Sequence, residues 1–183
     1  AILTGFAVGG FLSMSVGAGD AVAGANAPGG SDYAWYQVTN CNREPYGVIA
    51  NYNSNSSTIN QQLGLMYQNG QRRLRIPIFH GRGLNTGTVM DSTGGNLSLQ
   101  NRQNLTNFLA AVKNAGFVEI EVSFFPTGPN SPANWTQYSE DLYHENWNLI
   151  YNLHSIIANA GIQYRIDLLN EGAPATNQPA LLQ

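Results

Sequence analysis

Charge is scarce in this sequence: Asp, Glu, Lys and Arg make up 10% of its 183 residues, and the net charge is −3. Lys113 is the only lysine and the arginines form no cationic run, so the electrostatic footprint of a nucleic-acid partner is missing. Cysteine is nearly absent. Cys41 alone excludes an internal disulfide framework and a Cys-based zinc site, and it reads as a half-buried thiol with a packing role. His80, His144 and His154 are scattered, and no two stand at the i, i+4 spacing of a helical metal pair. Glycine-rich phosphate cradles are missing too, since "GRG" at 81–83 is too short and in the wrong context. No metal and no cofactor is therefore expected. The 43% hydrophobic content is that of an ordinary globular chain.

The first 27 residues, "AILTGFAVGGFLSMSVGAGDAVAGANA", are small and apolar with no positive charge. They are similar to the apolar core of a secretory signal peptide, with a small-x-small cleavage site at Ala21-Val22-Ala23 and a flexible lead-in behind it. A membrane anchor fits less well, because the run is glycine-rich and Asp20 interrupts it. The expectation is a secreted or periplasmic protein, with no membrane segment in its mature form and a working domain over 28–183.

From residue 46 the sequence alternates between two periodicities. "YGVIANYN" reads as a short first strand and "TINQQLGLMYQNG" as the helix behind it. "RRLRIPIFHGRG" is a strand and loop. "SLQNRQNLTNFLAAVKNAG" is the clearest helix, with Ser98 as N-cap and Leu105, Phe108, Leu109 and Val112 on one face. "FVEIEVSFF" is a strand, "SEDLYHENWNLIYNLHSIIANAG" a helix capped by Ser139, and "IQYRIDLLNE" a fourth strand. Each helix stops on a glycine before the next strand, at Gly70, Gly116 and Gly161, 46 and then 45 residues apart. Such strand-helix alternation implies an α/β fold with a parallel sheet.

Two architectures fit, an open doubly wound sheet and a (β/α)8 barrel. The strands favour the barrel. Leu74, Ile76 and Ile78 alternate with Arg73, Arg75, Pro77 and Phe79; Val118, Ile120, Val122 and Phe124 alternate with Glu119, Glu121, Ser123 and Phe125; Tyr164, Ile166 and Leu168 alternate with Arg165, Asp167 and Leu169. A doubly wound sheet is covered by helices on both faces and needs both apolar. A barrel turns one face to helices and one inward, where arginines and acids can pair.

Function in a barrel collects at the C-terminal strand ends. These read as Asn51-Tyr52-Asn53, Phe79-His80-Gly81-Arg82, Phe125-Pro126-Thr127-Gly128 and Asn170-Glu171, a polar and aromatic rim with one acid at a strand tip. An acid there, partly buried, suits protonation of a glycosidic oxygen, and a neighbouring Asn suits a sugar hydroxyl. Trp35, Trp135 and Trp147 offer flat faces to sugar rings, although Trp147 reads as a packed helix residue. His80 lies on the rim; His144 and His154 read as helix-surface or packed residues.

The segments "RRLRIPIFH" and "YRIDLLNEGAP" resemble the second-strand "RIP" segment and the fourth-strand Asn-Glu signature of the clan A glycoside hydrolases, cellulase-type, close to glycoside hydrolase family 5. The resemblance implies a TIM barrel and a retaining hydrolase acting on a β-linked polysaccharide. It implies Glu171 as general acid/base and Asn170 as the residue that binds the substrate 2-hydroxyl. Arg75 is implied to support the nucleophile, and His80 and Trp135 complete the expected substrate contacts. Gly172 replaces the usual Pro, and Phe124-Phe125 stands where the cellulase group often has His. The resemblance covers about residues 46–183, only the first four βα units of a barrel that takes about 250 residues. The expectation is thus an N-terminal half that lacks the nucleophile of the seventh strand and is inactive alone, a monomer at full length with a carbohydrate as its partner. A non-catalytic extracellular glycan-binding module and a doubly wound periplasmic-type binding domain are the competing readings.

Overall fold

The computed structural model describes residues 30–170. The expected signal segment over 1–27, Glu171 and Gly172 lie outside the described residues.

Among the described residues five strands and three long helices follow in the order β1 (Ser31–Asp32), α1 (Val48–Gln68), β2 (Arg73–Gly81), β3 (Met90–Asp91), α2 (Leu99–Asn114), β4 (Glu119–Pro126), α3 (Glu140–Ala158) and β5 (Gln163–Asp167). Two short 3-10 turns, Gly128–Asn130 and Pro132–Asn134, fill the connection from β4 to α3. Every pairing between these strands is parallel, in the order β1-β2-β4-β5. β3 pairs with the end of β2, at His80 and Gly81, on the edge that β1 leaves free beyond Arg75. The fold is α/β, with a parallel sheet whose path β1-β2-β4-β5 runs in chain order and leaves β3 off it.

The helix boundaries follow local chemistry. Ser98 Oγ accepts the Asn101 amide at 3.2 Å and Ser139 Oγ accepts that of Leu142 at 3.4 Å, so both expected caps form. Gly70, Gly116 and Gly161 take φ of 87°, 100° and 68°, the left-handed stop that other residues adopt with strain.

The first expected strand is a correction. "YGVIANYN" runs into α1, and Asn51-Tyr52-Asn53 lie inside that helix instead of on a strand-end loop. Val48, Tyr52, Ile59 and Leu63 are buried at helical spacing, and burial of that face outweighs the β preference of Val48 and Ile49. Asn51 works as a clamp: its Nδ2 lies 2.8, 2.8 and 2.7 Å from the carbonyl oxygens of Pro45, Gly47 and Gly87. The strand that occupies the first position is the two-residue β1, too short to leave a periodic signature.

Two further expectations are corrected. Cys41 is exposed. It sits with Asn40 at φ of 64° and 49° in a tight turn closed by Thr39 and Asn42, which leaves no neighbouring element to cover it. Trp147 is 49% exposed, on the flank of α3 away from buried Leu149, Leu153 and Ile157.

The core lies between the helices and one face of the sheet. Leu74, Ile76 and Ile78 of β2 and Ile120, Val122 and Phe124 of β4 join the helix residues Leu105, Phe108, Leu109, Val112, Leu149 and Leu153 in one cluster. Phe108 is fully buried, with ring centroids 6.0 Å from Tyr33 and 5.7 Å from Tyr52. Phe108→Ala is expected to lower stability by about 3–5 kcal/mol, read as a shift of the urea midpoint at unchanged slope.

Candidate functional site

The sheet face opposite the helices carries the chemistry. Its charges are ordered by the parallel register, which sets Arg73 beside Glu119 and Arg75 beside Glu121. Glu119 receives Arg73 Nε at 3.0 Å and Arg165 Nε at 2.7 Å. Arg75 holds the centre. Its Nε donates to Glu121 at 2.8 Å, Nη1 to Asp32 at 3.4 Å and Nη2 to Asp167 at 3.0 Å. One guanidinium thus joins carboxylates from β1, β4 and β5, and its planar fork of donors is suited to that task. Burial opposes its charge, but Glu121, Asp167 and Asp32 outweigh burial and raise its pKa further above the usual guanidinium value.

Asn170 completes the group. Its backbone N–H donates to the Phe124 carbonyl at 2.8 Å, which carries the chain beside β4 past the end of β5. Its side-chain Oδ1 accepts from Arg75 Nη2. A guanidinium has donors only, so the amide must turn its oxygen to Arg75. Nδ2 then remains a donor, and no protein acceptor among the described residues takes its hydrogens.

An aromatic layer lies on the same sheet face toward the strand ends. Phe79 and Phe125 are register partners with centroids 4.8 Å apart, and Trp35 stacks on Phe79 at 5.4 Å. The Arg43 guanidinium lies 4.5 Å from the centre of the Trp35 ring.

The structure therefore brings two of the expected residues together, Arg75 and Asn170. It does not bring His80 or Trp135 to them. His80 falls on the helix-facing side of β2 with Leu74, Ile76 and Ile78. It is 1% exposed, and its Nδ1 lies 3.2 Å from Ser92 Oγ. Burial lowers its pKa to about 4, against the pull of Glu145, so it is neutral at physiological pH and closed to substrate. Trp135 is buried in the turn after β4, where Nε1 donates to Pro129 O at 2.8 Å. His144 pairs with Glu140 at 2.9 Å and His154 with the Tyr164 hydroxyl at 3.1 Å, both on the outer surface of α3.

Two contributors escape sequence reading. Asp32 belongs to a strand of two residues. Glu145, on α3, gives no motif, yet it ties three loops together. Its Oε2 accepts from Arg82 Nε at 3.1 Å, Arg82 Nη2 at 2.9 Å and the Gly94 amide at 3.0 Å, and its Oε1 accepts from Asn130 Nδ2 at 2.9 Å. A charged residue in the middle of a helix, on the face toward the strand-end loops, was the available signal. Among the described residues no cluster of His, Cys, Asp or Glu has the geometry of a metal site, and no helix is long and apolar enough to cross a membrane.

No family model matches this chain, and no curated protein or solved structure is similar to it.

Two tests follow from this geometry. Burial raises the Glu145 pKa, but the bonds from Arg82, Asn130 and Gly94 outweigh it and leave the carboxyl below its usual range. A depressed carboxyl stabilises the fold above its unfolded value of about 4.3, and that contribution is lost as pH falls through the folded value. Glu145→Gln is expected to be less stable at pH 7 and to lose less further stability below pH 4, read from urea midpoints across pH. Arg75→Lys removes the fork, and the Asn170 side-chain amide is expected to lose its fixed orientation, seen as collapse of its two amide proton signals toward solvent-exposed values by NMR.

Proposed function

We propose that this chain is part of a secreted retaining glycoside hydrolase of the (β/α)8-barrel type that acts on a β-linked polysaccharide, with Glu171 as its general acid/base. The observation that carries the reading is the Arg75–Asn170 contact at the end of β5. It leaves Asn170 Nδ2 as a donor on the residue that precedes Glu171 in the sequence, and such a donor suits the oxygen of a sugar hydroxyl. The path β1-β2-β4-β5 runs in chain order, with the two-residue β3 off it, and together with helices on one face and paired charges on the other this supports a barrel over a doubly wound sheet, whose strand order reverses at a switch point.

In the retaining mechanism Glu171 protonates the leaving glycosidic oxygen while a second carboxylate, about 5 Å away, attacks the anomeric carbon and forms a glycosyl-enzyme. Water then displaces that carboxylate as Glu171 takes the water's proton. None of the acids of this sequence is assigned to the nucleophile. Asn170 Nδ2 bonds the sugar hydroxyl next to the reacting carbon, and Arg75 keeps that amide turned. No cofactor takes part in this chemistry.

The test uses the protein expressed from its complete reading frame and follows release of reducing ends from neutral β-linked polysaccharides. Glu171→Gln is expected to lower turnover by about 10²–10⁴-fold, the usual share of a general acid. Unchanged turnover removes Glu171 from the mechanism. Glycan binding without hydrolysis in either protein moves the assignment to a non-catalytic glycan module.

A further inference from the structure

A second aromatic surface lies off the charged face, where α3, the turns after β4 and the end of β5 meet. Trp135, Tyr138, Tyr143 and Trp147, with Leu168 and Leu169, line a pocket of about 430 Å³. Its size falls within the roughly 300–1,000 Å³ of small-ligand sites. Tyr138, Tyr143, Trp147 and Leu168 are each about half exposed, a concentration of large apolar side chains on one patch that a soluble surface rarely carries without use. The rings are ordered among themselves. Trp135 meets Tyr138 edge-on at 6.2 Å, and Tyr138 meets Tyr143 at 6.0 Å. Trp135 is pinned by its bond to Pro129 O, and this anchors the floor of the pocket.

We infer that this pocket is an accessory binding site for a neutral glycan. Three features choose that occupant. None of the lining residues is charged, which disfavours an anionic or cationic ligand. The lining pairs flat rings with tyrosine hydroxyls and the Trp147 indole N–H, which matches a sugar ring with apolar C–H faces and a hydroxyl rim. The pocket also adjoins the candidate site along the chain, because Leu168 and Leu169 lead directly into Asn170. A polysaccharide bound at Asn170 is thus held within two residues of the pocket along the chain. The inference rests on the proposed hydrolase reading for its substrate class, and it assigns Trp147 and Tyr143 to a chain-holding role away from the reacting bond.

The experiment is native affinity electrophoresis of the protein from its complete reading frame. The gels contain hydroxyethyl cellulose, mixed-linkage β-glucan, galactomannan or xylan, with polygalacturonate as the charged control. Trp147→Ala and Tyr143→Ala are compared with wild type, and far-UV circular dichroism confirms that both variants fold. Wild type is expected to be retarded by at least one neutral polymer and not by polygalacturonate. Each variant is expected to lose about tenfold or more in affinity for that polymer, a typical cost of truncating an aromatic anchor. Retardation equal to wild type in Trp147→Ala overturns the pocket, as does retention only by polygalacturonate or by no polymer. A dimer by light scattering, with Trp147 emission shielded from acrylamide, also overturns it by assigning the surface to a protein contact. Failure of the hydrolase reading is read separately, from the Glu171→Gln turnover assay, which the pocket variants do not touch.

Discussion

The Arg75 guanidinium is the point on which the polar side of this structure depends. It sits near the start of β2 and takes carboxylates from strands on both sides, Asp32 from β1, Glu121 from β4 and Asp167 from β5, together with the Asn170 amide. Carboxylates this close would repel one another without a cation between them, and a cation on a sheet face would be costly without partners. Each strand thus depends on its neighbours for charge balance. The register of the sheet and the ionic pattern specify each other, because a slip of one residue would turn Arg73 and Arg75 into the helix-packed core and bring Leu74 and Ile76 out.

The same alternation divides labour between the two faces. Helices cover the apolar side with Phe108, Leu109, Leu149 and Leu153, and this side supplies the burial that holds the domain together. The other side carries the paired charges, and its order comes from fixed hydrogen bonds. Three strand-end loops are held by a single buried acid, Glu145, which accepts from Arg82, Gly94 and Asn130. The rim is therefore positioned by a polar network and the sheet below it by packing. Protonation of Glu145 weakens the rim network, whose bonds need its carboxylate.

Much of this was legible in the sequence. The glycine stops, the Ser98 and Ser139 caps, the faces of β2, β4 and β5 and the pairing of arginines with acids all follow from local periodicity and from the cost of unpaired charge. These are short-range properties, and the chain encodes them within a few residues. Errors came where a segment was short or ambiguous. Val48 and Ile49 favour strands by their β-branched shape, yet they open a helix because Tyr52, Ile59 and Leu63 extend a buried face behind them. Trp147 carries a core-like side chain but lies on a flank of α3 turned away from the core, beside Leu168 and Leu169.

What the sequence by itself determined is the strands β2, β4 and β5, the helices α2 and α3, and the inward and outward residues of β2 and β4. What only the tertiary structure decided is which of the rim residues meet. It joined Arg75 to Asn170 across 95 positions, turned His80 into the core, and set Trp135 and Trp147 around a separate pocket. Alternation fixes the face a side chain takes, and it is silent on how far along the sheet neighbouring strands are offset and where the loops fold back. Those distances depend on long-range pairing, and here that pairing is set by strand register and by the ion pairs of Arg75 and Glu145.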